Sequence, residues 1–70
     1  MKYNPYFDYV DGVEIMIMDD PSDDSREVYY RIAGSPFVFA FGLGKTSDMT
    51  MDKTIWIAKA NVDNYMGVLF

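Results

Sequence analysis

Three runs in the middle of the chain alternate with a period of two: Val13, Ile15 and Ile17; Val28, Tyr30 and Ile32; and Phe37, Phe39, Phe41 and Leu43. That period places each set on one face of a pleated strand. Between the first two runs lies Asp19-Asp20-Pro21-Ser22-Asp23-Asp24-Ser25. Its proline has no N–H for a ladder, and its short polar side chains bond their own backbone in turns. Between the second and third runs lies Gly34-Ser35-Pro36. Connections this short cannot cross over a sheet, so residues 13–43 are confined to an antiparallel meander. The third run, Pro36 to Leu43, carries Val38, Ala40 and Gly42 at its alternate positions and reads as a buried strand around which the rest packs.

Both ends are open to two readings. Asn4 caps a short helix begun at Pro5 and stopped at Gly12, or Asp11-Gly12 turns a hairpin, since both residues tolerate positive φ. The hairpin is taken here. Its register sets Val10 against Val13 and Tyr6 against Ile17, but leaves Asp8 against Ile15, a poor pair. In the last third, Met51, Ile55, Ala58, Val62, Tyr65 and Leu69 form a helical stripe, with Ser47 or Asp48 to cap it. Against this, Thr54-Ile55-Trp56-Ile57 is β-branched and aromatic, and Gly67 falls within the stripe. Strands at Lys53 to Ala60 and Tyr65 to Leu69 are the reading preferred. The expected fold is therefore mainly β, a small antiparallel meander or barrel-like sheet of about five strands. The alternative is α+β, a three- or four-stranded antiparallel sheet with a C-terminal helix around 48–65. Phe37, Phe39, Phe41, Ile15, Ile17, Ile55 and Trp56 are the core candidates.

A chain of 70 residues is one domain spanning 1–70, and its core is small because a chain this size buries only about 60% of its unfolded surface. With 17% aromatic residues, some rings must face outward, as a homodimer seam or a partner surface. There is no cysteine and no histidine, which removes disulfides, thiolate nucleophiles, imidazole bases and the usual ligands of zinc, copper and haem. No secretory leader pattern opens the chain, and the longest apolar run, Phe37 to Leu43, falls far short of the ~20 residues that cross a bilayer. A cytoplasmic location is expected, with no membrane association.

Gly42-Leu43-Gly44-Lys45-Thr46 resembles the end of a phosphate-binding loop, but Phe39 stands where the pattern requires its first glycine. Glycines that release the chain from a strand into a turn explain it better. The aspartates at 19, 20, 23 and 24 suggest a hard cation, yet Pro21 interrupts them, and neither a central glycine nor a terminal bidentate glutamate is present. Paired carboxylates for glycoside hydrolysis need a cleft that holds one of them neutral, which a domain this small does not offer. No catalytic residue, metal ligand or cofactor is assigned, and an enzyme is not expected.

The informative feature is the distribution of charge. Residues 1–27 hold eight acids (Asp8, Asp11, Glu14, Asp19, Asp20, Asp23, Asp24 and Glu27) against Lys2 and Arg26, while residues 28–70 hold three acids against four bases; the whole is net −5. Such a chain is repelled by nucleic acid and drawn to basic surfaces. The eight acids are therefore the candidate partner-binding residues, with Asp19, Asp20, Asp23, Asp24 and Glu27 as the main set. The expectation is a small acidic inhibitor that masks the basic surface of a nucleic-acid-binding protein, mimicking DNA or RNA without binding either, as small acidic chains encoded by phages do by analogy. The alternative is a homo-oligomeric structural or assembly module built on exposed aromatic and methionine residues.

Overall fold

The computed structural model of the chain describes residues 5–44 and 48–69. Four antiparallel strands, β1 (Tyr6–Val10), β2 (Val13–Asp20), β3 (Ser25–Ile32) and β4 (Val38–Leu43), lie in the order β1-β2-β3-β4, followed by α1 (Met51–Ala60) and α2 (Val62–Leu69). The fold is α+β, rich in strand, and the meander over 13–43 is as the turns dictate. The hairpin reading of the first residues holds as well, with Val10 opposite Val13, Asp8 opposite Ile15 and Tyr6 opposite Ile17. Asp11 and Gly12 both take positive φ, 51° and 82°, as a two-residue turn matched to strand twist requires. Asn4, the cap of the competing helix, lies outside the described residues.

One face of the sheet is closed. Val13, Ile15, Ile17, Val28 and Tyr30 are fully buried there together with Ala58 and Val62 from the helices, and Met51, Ile55 and Tyr65 pack against them half-buried. The helical stripe, not the β propensity of Thr54 to Ile57, therefore decides the last third. Strands at Lys53 to Ala60 and Tyr65 to Leu69 would have lengthened the sheet without covering this face, and burial of an apolar face outweighs local propensity. The helix cap is Thr50, whose hydroxyl accepts the Lys53 amide at 3.1 Å. It is not Asp48, and Ser47 lies outside the described residues. Asn61 separates the two helices, its side-chain amide donating to the Ile57 carbonyl at 2.8 Å and its backbone N–H to the same carbonyl at 3.1 Å.

The run from Pro36 to Leu43 is not central. β4 is an edge strand with a bulge opposite Val28 and Tyr29, and the sheet is centred on β2 and β3. Only Phe41 of its phenylalanines packs on the closed face, against Tyr30 and Tyr65. Phe37 and Phe39 belong to the other face, and Trp56 points to solvent from α1 with 71% exposure. Ile15 and Ile17 are core as expected, and Ile55 packs against it.

Two polar links tie helix to sheet. Arg26 is 5% exposed. Its Nε and Nη2 donate to the Asp19 carboxylate at 2.5 and 3.0 Å, and its Nη1 donates to the Met49 carbonyl, the Thr50 carbonyl and Thr54 Oγ1 at 3.1, 3.3 and 2.6 Å. Tyr30, also buried, donates its hydroxyl to the Ala58 carbonyl at 2.5 Å. A buried charge is tolerable only with such a full set of partners. Arg26→Met should therefore lower stability by about 2 to 3 kcal/mol, a large share of the roughly 4 to 10 kcal/mol expected for this length. Arg31→Met, at a half-exposed pair, should cost at most about 1 kcal/mol. Urea denaturation of the two variants checks this, and equal shifts in midpoint would contradict it.

Burial, with a smaller contribution from the neighbouring Tyr65, pushes the Tyr30 phenol from its ordinary 10.0 up to about 12. The folded state therefore holds this proton more tightly than the unfolded state. Its contribution is complete below pH 10 and is lost as pH rises through about 12. Stability should fall across that window in the wild type and fall less steeply in Tyr30→Phe, read by chemical denaturation at stepped pH.

Candidate protein-binding surface

Among the described residues no element covers the second face of the sheet. Strand alternation places Phe7 and Tyr9 of β1, Glu14, Met16 and Met18 of β2, Glu27, Tyr29 and Arg31 of β3, and Phe39 and Gly42 of β4 on it. Pairing arranges them in rows across the strands. One row runs Phe7, Met16, Tyr29, Phe39; the next toward the β2–β3 turn runs Met18, Glu27, Gly42; the row on the other side runs Tyr9, Glu14, Arg31. Phe7, Tyr9 and Phe39 are each more than half exposed. Phe37, just before β4, folds over the same face. Its ring centroid is 6.2 Å from that of Phe7 and 4.4 Å from the Arg31 guanidinium carbon. This is an aromatic layer with charged groups set into it, of a kind that soluble monomers seldom leave uncovered.

The eight acids are not gathered into one patch. Asp8 projects toward the helices, where its poor pairing with Ile15 is relieved by Lys59 of α1 at 3.4 Å. The Tyr9 amide, donating at 2.7 Å, holds the Asp8 carboxyl below its ordinary 3.8; burial opposes this, and Lys59 and then the Tyr6 hydroxyl add to the lowering. Asp19 also faces the helix side, in the grip of Arg26. Glu14 is on the open face but pairs with Arg31 Nη2 at 3.0 Å. Arg31 Nε, by contrast, is buried without a hydrogen-bond partner among the described residues. Asp11 is exposed in the β1–β2 turn at the far end of the sheet.

The remaining four acids share the β2–β3 end. Asp20 Oδ1 accepts both the amide and the hydroxyl of Ser22, at 2.9 and 2.6 Å, and Asp23 Oδ1 accepts the Ser25 hydroxyl at 2.5 Å. Asp24 closes the turn with a φ of 52°. Glu27 lies next along the open face, where Tyr29 donates its hydroxyl to Oε1 at 2.9 Å. That bond, more than burial or the carboxylate's charge, raises the Tyr29 phenol above its ordinary 10.0. The acidic turn thus runs directly into the aromatic layer. Alternation alone could have assigned Phe7, Tyr29 and Phe39 to one surface, but not which surface the helices would leave bare.

Lys45 and Thr46 of the phosphate-loop resemblance lie outside the described residues. Gly42 is within β4, paired with Glu27, as a strand residue rather than part of a loop. Among the described residues no group of three or more carboxylates is placed to hold a metal ion, and no helix is long and apolar enough to cross a membrane. Comparison with protein-family models, curated proteins and solved structures gives no match for the chain.

Because the open-face rings contribute little to the closed core, Phe39→Ser should cost about 1 kcal/mol or less beyond its lost edge contact with Tyr29. Phe41→Ala should cost about 3 kcal/mol. Thermal melts of the two proteins check the contrast, and a Phe39→Ser protein that fails to fold would place that ring in the core after all.

Proposed function

We propose that the chain is a small protein-binding inhibitor that masks the basic surface of a nucleic-acid-handling protein. One observation carries this reading: the exposed aromatic rings share a face with Glu14 and Glu27 and are continuous with the acidic β2–β3 turn. A basic groove built for a polyanion offers lysines and arginines, and charge complementarity steers an acidic occupant to it as it steers nucleic acid. The rings supply the apolar centre that charge alone lacks, since aromatic and methionine residues are enriched at interface centres.

Position narrows the contact set. Asp20, Asp23, Asp24 and Glu27 share the β2–β3 end beside the aromatic rows and form the leading edge, whereas Asp8 and Asp19 face the helices and Asp11 lies at the far end of the sheet. No reaction is part of this role. The protein acts in the cytoplasm, by analogy with small acidic phage proteins that occupy host defence or repair enzymes.

The homo-oligomer remains the second reading, favoured by the exposure of Phe7, Tyr9 and Phe39 on one face. A net charge of −5 opposes self-association at low salt, so a dimer of this kind would tighten as salt rises. Affinity capture from a bacterial lysate decides between them, using the wild type beside a variant carrying D20N, D23N, D24N and E27Q. The inhibitor reading expects a nucleic-acid-binding protein to be retained by the wild type, released by added duplex DNA or RNA, and lost with salt or with the substitutions. A target held equally by both chains would overturn the acidic contact set, and a salt-tightened dimer in sedimentation would favour the second reading.

A further inference from the structure

The open face holds two glutamates in matched settings that differ in one component. Around Glu14 the set is complete: its Oε2 takes Arg31 Nη2 at 3.0 Å, and the Arg31 guanidinium stands 4.4 Å from the Phe37 ring centroid. Carboxylate, guanidinium and aromatic ring all come from the chain itself. Around Glu27 the carboxylate and the rings recur. Tyr29 donates to Oε1 at 2.9 Å, and Phe39 meets the Tyr29 ring edge-on, with centroids 5.6 Å apart and planes at 76°. No lysine or arginine among the described residues pairs with Glu27.

The surroundings leave room for one. Gly42 is the residue directly across from Glu27 on β4, so the strand contributes no side chain there. Among the described residues, a Cβ at that position would meet the Arg26 carbonyl oxygen and Phe39 Cζ, at 3.8 and 3.9 Å, both ordinary contacts. Phe39 is 53% exposed, which leaves much of its ring accessible to a ligand. We propose that Glu27, Tyr29 and Phe39 form a receptor for an arginine side chain of the partner. This rests on the reading of the chain as a binder of basic surfaces.

The chemistry favours arginine over lysine. A guanidinium is planar, stacks on an aromatic ring and is less strongly hydrated than an ammonium, and its fork meets a carboxylate with two N–H groups. The Tyr29 hydroxyl anchors one Glu27 oxygen, and among the described residues no group bonds the other. Burial beside rings strengthens the cation–ring attraction once water is displaced.

The test is an NMR titration of the isotopically labelled full chain at low ionic strength with hexa-arginine and hexa-lysine peptides, on the wild type and on the variants Glu27→Gln, Phe39→Ser and Gly42→Val. The last is a strand-compatible substitution that fills the space opposite Glu27. Hexa-arginine should shift the resonances of Glu27, Tyr29 and Phe39 and bind about 5-fold more tightly than hexa-lysine. Each variant should weaken hexa-arginine binding by about 10-fold while keeping the dispersion of a folded spectrum. Shifts confined to residues 19–25, with Glu27→Gln titrating as the wild type, would overturn the receptor and leave the acidic-surface reading standing. Equal affinity for the two peptides would overturn the assignment to arginine, and no binding of either would overturn both.

Discussion

The Arg26 guanidinium is the point on which sheet, turn and helix depend together. It occupies the closed face at the acidic end of β3, nearly out of solvent, and its five hydrogen bonds reach β2, the segment before α1 and the first turn of α1 itself. A buried cation left without partners is strongly unfavourable, so each of these groups is held where the guanidinium needs it. The helix start is thereby fixed against the sheet. With Thr50 capping and Thr54 bonded to Arg26, the stripe of Ile55, Ala58 and Val62 descends on Val13, Ile15 and Val28. The Tyr30 hydroxyl on the Ala58 carbonyl secures the same packing one to two turns further on.

Closing one face determines what the other can be. A four-stranded sheet with a single helical layer has a bare side, and this chain furnishes that side with Phe7, Tyr9, Tyr29, Phe37 and Phe39 rather than with the charged residues usual at a solvated surface. Charge enters that layer at two carboxylates. One is balanced by Arg31, which lies on the Phe37 ring, and the other accepts a neutral hydroxyl and meets no cation among the described residues. In the proposed role, the contrast between Glu14 and Glu27 marks the place where a partner's cation would fit.

The same contacts limit how far charge counting describes function. Eight acids in the first 27 residues look like one field, but Lys59 and Arg26 draw Asp8 and Asp19 to the helix side and Arg31 neutralises Glu14. Lys59 and Arg31 come from positions distant in sequence from the acids they meet, whereas Arg26 faces Asp19 across the β2–β3 hairpin. Asp20, Asp23 and Asp24 at the β2–β3 end, with Glu27 beyond them, adjoin the aromatic rows.

The sequence by itself determined the meander. Period-two alternation over 13–43, Asp11-Gly12 with its two positive φ angles, and turns too short for a crossover are local signals that leave one arrangement of β1 to β4. It also carried the stripe from Met51 to Tyr65, but as one of two patterns. The preference there for strand was reversed because only a helix could cover an apolar face that no local propensity describes. Tertiary structure decided the rest: that Pro36 to Leu43 is a bulged edge rather than the centre, that Phe37, Phe39 and Trp56 stay outside the core, and which acids acquire partners. Alternation shows that two sets of side chains lie on opposite sides of a strand, but it is symmetric between them. Only the placement of α1 and α2, held by Arg26 and Tyr30, made one side interior and left the rings of the other exposed.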